Sequence, residues 1–183
     1  MSTNTHIREL ITRLARLNAA ETWNDDLNPV QVAAISYLAR ANRFSRRPSF
    51  VAEYLGTTRG TMSKTLRSLE RKGYVSEIRS ITDKRSISYD LTPDGEKIAA
   101  RSNILDLALS SMPEQQKMQL ENALSAALLT LVNNNNGRAF GVCKTCLYHQ
   151  HLNGKPYCNL LKQPLEFEDA EKICNEQLID INN

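Results

Sequence analysis

All four cysteines of this 183-residue chain lie near its carboxyl end, with the spacing C-x2-C-x11-C-x15-C. They are Cys143, Cys146, Cys158 and Cys174, and no cysteine precedes them. A C-x2-C pair places two thiolates around one ion, and two further cysteines complete a four-thiolate set. Such a set suits tetrahedral zinc or an iron–sulfur cluster. The cysteines therefore predict a metal centre, with unbound thiols or a redox disulfide as the alternative.

The spacing does not decide which group occupies this predicted centre. Zinc is favoured slightly because it is the commoner occupant of scattered four-cysteine sites. An iron–sulfur cluster is nearly as well supported, since it would allow sensing of iron, oxygen or redox state. His149 and His151 are alternative ligands, although a histidine in a polar loop is more often a surface residue. A tail this short buries too little surface to fold alone, so a bound metal is also expected to stabilise it.

A second set of residues has the chemistry of nucleic-acid binding. Between Arg40 and Arg85 the chain carries 12 basic and 4 acidic residues, a surplus of +8 within an overall charge of +3. Such a surplus suits a polyanion, because phosphate neutralisation releases counterions. Arginine and lysine also recognise guanine edges, and helix N-termini favour anions. The predicted DNA-contacting side chains on one helix are Thr58, Arg59, Thr61, Ser63, Lys64 and Arg67.

These side chains lie in a predicted helix-turn-helix. The first helix is expected over Pro48–Leu55, and Gly56 ends it as a glycine past a C-terminus should. The second is expected over Arg59–Lys72, where Met62, Leu66 and Leu69 form the inward stripe. A helix, a short turn with glycine and a second helix form the unit that inserts into the major groove. A plain solvent-exposed helix face is the alternative.

After the second helix, the spacing of hydrophobic residues changes from the period of a helix to that of a strand. Tyr74–Arg79 and Ile87–Leu91 alternate as two short strands around a polar, charged turn. This hairpin is the predicted wing, and Lys84 and Arg85 at its tip are predicted to contact the adjacent minor groove or the backbone of DNA.

Long amphipathic helices flank this unit. They are expected over His6–Ala20, Pro93–Ser111 and Glu114–Val132, with a further helix from Asn28–Pro29 to about Ala41. The last two long helices are apolar over more than one face, which a small winged domain cannot cover alone. A symmetric homodimer would bury that surface and set two recognition helices about one DNA turn apart.

Residues Leu27 to Ala100 resemble the MarR (multiple antibiotic resistance regulator) family. The resemblance rests on SFVAEYLGTTRGTMSKTLRSLERKGYVSE and on the wing stretch ITDKRSISYDLTPDGEKIA. It implies that the helix over Thr58–Lys72 enters the major groove and that the wing's Asp-x-Arg signature falls on Asp83 and Arg85. It also implies dimers joined by the first and last helices. The cysteine tail departs from the family pattern.

The sequence as a whole predicts a mainly α fold with a small β-hairpin wing. The predicted domains are residues 1–132 for DNA binding and dimerisation, an asparagine-rich linker at 133–142, and the four-cysteine metal-binding tail at 143–183. The predicted function is a homodimeric transcriptional regulator, a repressor of a palindromic operator, that responds to a small-molecule effector, a metal or a redox signal. A redox- or metal-handling protein using the winged helix for protein contacts is the alternative.

Other function classes are disfavoured. The chain has no nucleophile elbow, phosphate loop or acid–base set, so no enzyme is expected. Met1–Glu9 lacks the apolar core of a secretory signal, and no apolar run approaches the length of a membrane span. A cytoplasmic protein is expected.

Overall fold

The structure, a computed structural model, describes residues 2–21, 26–79, 86–134 and 138–178. The described part contains eight α-helices, seven short strands and two 3₁₀ turns, the latter at Arg43–Ser45 and Cys143–Thr145. The helices are α1 (Thr3–Glu21), α2 (Pro29–Arg40), α3 (Pro48–Tyr54), α4 (Arg59–Arg71), α5 (Pro93–Ala99), α6 (Ile104–Ser110), α7 (Glu114–Asn134) and α8 (Phe167–Ala170). The strands are β1 (Val75–Arg79), β2 (Ile87–Leu91), β3 (Gly141–Val142), β4 (His149–Leu152), β5 (Lys155–Cys158), β6 (Gln163–Pro164) and β7 (Ile173–Cys174).

The main core lies where α2, α3, α4 and the β1–β2 hairpin meet. Tyr37, Val51 and Leu66 from the three helices are fully buried there, and Tyr89 of β2 is almost so. The helix-turn-helix predicted from the sequence is confirmed, with α3 and α4 separated by Gly56. That glycine has a φ of +61°, a left-handed conformation that residues with a Cβ adopt at a cost.

The wing hairpin follows α4 directly. Gly73 ends the connection at a φ of +81°, and β1 pairs antiparallel with β2 from Val75 opposite Leu91 to Arg79 opposite Ile87. Thr92 then caps α5, and its hydroxyl donates to the carbonyl oxygen of Gly73. The predicted winged helix-turn-helix is therefore present, and its hairpin is tied to both flanking helices.

The sequence pattern predicts one helix over Pro93–Ser111, and this prediction is wrong. The structure has two helices, α5 and α6, because Asn103 begins a new one. Its side chain accepts from the N–H of Asp106, while the Asp106 carboxylate accepts from the N–H of Asn103. This reciprocal capping satisfies backbone donors that a helix start leaves free. The chain can therefore turn between α5 and α6.

The cysteine tail forms two small sheets beside the winged helix. Strand β3 pairs with β7, and β4, β5 and β6 form a three-stranded antiparallel sheet. The stretch Glu166–Gln177 contains the single turn α8 followed by β7. None of the helices in the described ranges combines the length and apolar character of a membrane span.

Candidate nucleic-acid interface and cysteine cluster

Helix α4 presents a polar face to solvent at its N-terminal half. Thr58, Arg59, Thr61, Lys64 and Arg67 are all exposed, and Ser63 is half-buried. On the opposite face Met62, Leu66 and Leu69 are buried in the core. The structure therefore places the six predicted side chains of this helix on its exposed part, as the hydrophobic stripe requires.

The start of α4 is fixed by its own side chains. The Thr58 hydroxyl accepts from the backbone N–H of Thr61 at 3.1 Å and lies 2.9 Å from the Thr61 hydroxyl. This leaves other N–H groups of the first turn available to an anion. Thr58 thus positions the helix N-terminus in addition to lying on the candidate surface.

Basic side chains predominate on this face of α4. Within the described ranges, Arg59, Lys64 and Arg67 form no ion pair with a carboxylate. Lys64 and Arg67 lie with Arg71 on one side of the helix, where they line a shallow depression together with Glu70. A surface of this kind attracts phosphates, because its charges need not first break other contacts. Lys84 and Arg85, predicted at the wing tip, lie outside the described residues.

The four cysteines come together although they are far apart in sequence. Cys143 and Cys146 flank the 3₁₀ turn of the tail, Cys158 ends β5 and Cys174 ends β7. All four are free thiols, and each is at most 9% exposed. Cys143, Cys158 and Cys174 pack with Leu165 in one small core, which Phe44 and Tyr148 cover.

Neighbouring groups contact two of the cysteine sulfurs. The N–H of Leu178 donates to Cys146 Sγ at 3.4 Å. The pKa of Cys174 is lowered chiefly because Cys143 donates to it, and the Glu176 backbone and the neighbouring Asn42 and Ser45 side chains lower it further. The pKa of Cys143 is raised because its proton is held in that hydrogen bond and the group is buried.

The four cysteines have the donor atoms that a metal site needs, but their arrangement does not form a complete coordination site. Four buried thiols with N–H donors suit a soft ion or an iron–sulfur cluster. The Asn42 amide nitrogen is also buried with no hydrogen-bond partner in the described part of the chain, and Asn42 lies beside Cys174. However, no three His, Cys, Asp or Glu side chains of the described residues are arranged to hold an ion. The metal centre therefore stays a prediction.

Of the two histidines, His149 lies nearer the cysteines. It pairs with Cys158 across the β4–β5 ladder, and its Nε2 is buried with no hydrogen-bond partner in the described ranges. Burial lowers its pKa, and the ring of His151 lies 5.2 Å away. His151 is exposed. A ligand role for His149 stays a prediction.

The segment that joins the two parts of the molecule was missed by the sequence reasoning. Within the segment Asn42–Arg46, the residues Asn42, Arg43 and Ser45 contact the cysteine tail by hydrogen bonds and an ion pair. Arg43 contributes to the basic surplus in the sequence, yet its guanidinium lies 2.8 Å from the Asp169 carboxylate. Polar residues in a loop carry no pattern that would have revealed these long-range contacts.

The long helices leave a large apolar surface uncovered in the single chain. No residue of α1, α6 or α7 is buried. Leucines of α1 and α7 are the clearest examples, with Leu17 52%, Leu128 57% and Leu131 61% exposed. A cavity of about 780 Å³ lies between α1, α2 and the α5–α6 region.

Comparison with known proteins agrees with this architecture. The MarR family model matches residues 25–86. The fold is similar to S. aureus MepR in its complex with DNA (TM-score 0.57, 22% identity, 71% of this chain and 98% of that chain). It is also similar to Streptococcus pneumoniae FabT in complex with DNA (TM-score 0.56, 22% identity, 71% of this chain and 95% of that chain). The comparison with S. aureus MepR in a DNA-binding conformation gives a TM-score of 0.60 at 23% identity, over 72% of this chain and 99% of that chain. No curated protein matches the sequence.

The MarR resemblance inferred from residues 27–100 is thus confirmed for the winged helix. Members of this family are transcription regulators and not enzymes, in agreement with the expectation that the chain has no catalytic function. The likeness to the solved structures shows the fold, and it covers less than three-quarters of this chain.

Proposed function

We propose that this protein is a sequence-specific DNA-binding transcriptional regulator that acts as a repressor at a palindromic operator. The observation that carries the proposal is the face of α4, where Arg59, Lys64 and Arg67 are exposed and unpaired within the described part of the chain. The MarR match over residues 25–86 and the DNA complexes of MepR and FabT support it.

Operator binding is tested by selecting DNA sequences with the full chain and measuring affinity at several salt concentrations. A side chain that reads a base should cost about 1–3 kcal/mol when truncated, and one that contacts phosphate should lower the salt slope by about 1. Arg67→Ala and Lys64→Ala are the informative variants. Lys155→Ala, an exposed lysine of the tail, is the matched control. Unchanged affinity in both α4 variants would instead favour a winged helix used for protein contacts.

We propose that the regulator is a homodimer. The exposed apolar residues of α1, α6 and α7 support this, since surfaces of this extent are rare on monomers. A two-fold interface formed by these helices would bury them and place two α4 helices on a palindrome.

We propose that Cys143, Cys146, Cys158 and Cys174 hold zinc or an iron–sulfur cluster. Their burial, their mutual contacts and the N–H donors around them support this assignment. The bound group would supply a tetrahedral cross-link between the ends of the tail, and a cluster would add redox sensitivity. The chain's own part is to keep the thiols buried and to donate hydrogen bonds to the sulfurs.

The occupant is identified by metal analysis and by the visible spectrum of protein purified without oxygen. Broad bands that bleach with dithionite or in air identify a cluster, and a colourless protein with one bound zinc identifies zinc. A chain that carries neither would leave free thiols, and the signal would then be sought in a small molecule.

A small-molecule effector would have a place in the cavity between α1, α2 and the α5–α6 region. Leu27, Val32, Ile98 and Leu105 supply apolar lining. Asn18 also lines it, and its Oδ1 is a buried acceptor with no partner in the described ranges. Charged side chains, among them Glu21, Arg40 and Asp106, line other parts of it. Cavities that combine apolar walls with polar groups are typical of ligand sites. A ligand bound there would shift the position of α1 relative to the winged helix.

A further inference from the structure

The segment Asn42–Arg46, between α2 and α3, is built partly from tail contacts. The backbone N–H of Asn42 donates to the carbonyl oxygen of Ile173 at 2.9 Å. The Ser45 hydroxyl, fully buried, accepts from the N–H of Asn175 at 2.9 Å and lies 2.7 Å from the Asn42 side-chain oxygen. The Asn42 and Ser45 side chains also lie beside Cys174. The cysteine cluster is therefore completed by residues of the DNA-binding domain.

An ion pair joins the same two parts. The Arg43 guanidinium lies 2.8 Å from Asp169 Oδ2, and Asp169 Oδ1 accepts from the backbone N–H of Arg43 at 3.2 Å. The Asp169 side chain is only 8% exposed, and its Oδ2 has this ion pair in place of a hydrogen bond. Arg43 also donates to the carbonyl oxygen of Pro164 at 3.1 Å. A buried carboxylate with one cationic partner depends strongly on that partner.

From this segment, contacts continue into the helix-turn-helix and the wing. Arg46 pairs with Asp90 of β2, and its carbonyl oxygen accepts from the N–H of Tyr89 at 3.1 Å. Arg47 precedes the first turn of α3, and its carbonyl oxygen accepts from the N–H of Phe50. A displacement of Asn42–Arg46 would therefore move both the start of α3 and the strand that leads from the wing.

A second contact region holds α3 from its other side. Arg138 pairs with Glu53 at 3.5 Å and lies over the Phe50 ring at 5.3 Å. Phe140 packs edge-on against Tyr54 at 5.4 Å. All three partners belong to α3. The residues that lead into the tail therefore contact this helix directly, and the tail itself contacts the segment that precedes it.

We propose that the docked cysteine tail is a regulatory element that fixes the position of α3 through Asn42–Arg46, so that a loaded cysteine centre favours operator binding. The inference rests on the proposed function, and it adds the route by which the centre and the DNA surface communicate. Loss of the bound group would release the small tail fold, because its core consists largely of the cysteines themselves. The α3 start and the β2 strand would then lose the contacts that hold them.

The test measures operator affinity of the full-length chain loaded with zinc and stripped by a chelator under reducing conditions. Allosteric coupling typically changes affinity by roughly 5- to 150-fold, and we expect the zinc-loaded wild type to bind at least about tenfold more tightly. Asp169→Asn removes the charge opposite Arg43 and spares the cysteines, so this variant should keep its zinc. The ratio of its operator affinity in the zinc-loaded state to that in the stripped state should fall towards one. Glu171→Gln makes the same charge change in the exposed Lys144 pair and should keep the wild-type ratio.

Hydrogen exchange supplies a second measurement that does not depend on the variants folding. Stripping zinc from the wild type should lower protection of the amides of α3 and leave those of α7 unchanged. Unaltered protection of α3 would overturn the proposal.

Equal operator affinity of the two wild-type states would overturn the coupling while leaving the DNA-binding function intact. An undiminished ratio in Asp169→Asn, or a chain that takes up no zinc, would also overturn it. Failure to bind DNA in either state would instead refute the proposed function.

Discussion

Replacing Ser45 by alanine tests the junction between the tail and the winged helix through stability alone. The hydroxyl is fully buried, accepts from Asn175 N–H at 2.9 Å, and lies within 3.0 Å of the side-chain oxygens of Asn42 and Asn175. Its one proton serves only one of these two oxygens at a time. Alanine fits the same space, so the change removes hydrogen bonds and little packing.

The expected loss of stability in Ser45→Ala comes from the buried polar groups that would lose their hydrogen-bond partner. The Asn175 residue is 3% exposed, so its N–H would be buried without a partner, and an unpaired buried donor costs about 1–3 kcal/mol. The Asn42 side-chain oxygen is less affected, since it still accepts from the N–H of Phe44 at 3.2 Å. We therefore expect Ser45→Ala to lower the free energy of unfolding by about 2 kcal/mol.

Urea denaturation followed by circular dichroism measures this loss, and Ser110→Ala is the control. Ser110 is exposed and donates its hydroxyl to the Asp106 carbonyl within its own helix, so its removal exposes no buried group. The control should change stability by less than about 0.5 kcal/mol. Equal midpoints for the two variants would show that the buried hydroxyl does not stabilise the junction, and the reasoning would be refuted.

Two further pairs of substitutions, each a test variant with its control, probe packing and assembly. Gly95→Ala should lower the free energy of unfolding by about 1–3 kcal/mol, because its Cβ would lie 2.1 Å from the backbone oxygen of Tyr74. For the control Gly60→Ala, the nearest atom to the new Cβ is 4.0 Å away. This control should leave stability unchanged or raise it by up to about 1 kcal/mol in the same denaturation assay. Similar urea midpoints for the two glycine variants would contradict the steric argument. Leu128→Asp on α7 should shift the molecular mass in light scattering from dimer towards monomer, whereas Leu147→Asp in the tail should not. A dimeric Leu128→Asp protein would exclude α7 from the interface.

The winged helix could be predicted because its signals are local. Gly56 and Gly73 mark the ends of α3 and α4, and the structure gives both glycines a positive φ. The stripe of Met62, Leu66 and Leu69 fixed which face of α4 is buried and hence which residues are exposed. Periodicity and glycine positions depend only on neighbours in sequence, so no tertiary information was needed.

The break between α5 and α6 was missed because it depends on capping geometry. The apolar pattern continues through Asn103, and only the reciprocal bonds with Asp106 end one helix and begin the next. The tail contacts were missed for a different reason. Arg43 and Asp169 are 126 residues apart, and a basic residue beside other basic residues gives no sign of a carboxylate partner in another region.

The separation of Arg43 from Asp169 also has a consequence for biosynthesis. On the ribosome, α2, α3 and α4 are made long before Asp169, and domains generally fold as units during synthesis, with the N-terminal part first. A nascent winged helix would emerge with Asn42 and Ser45 still open to water, since the partners Ile173 and Asn175 come from the tail. Docking of the tail is therefore expected as a late step, after a stage in which α3 and α4 have formed without the tail contacts at Asn42 and Ser45.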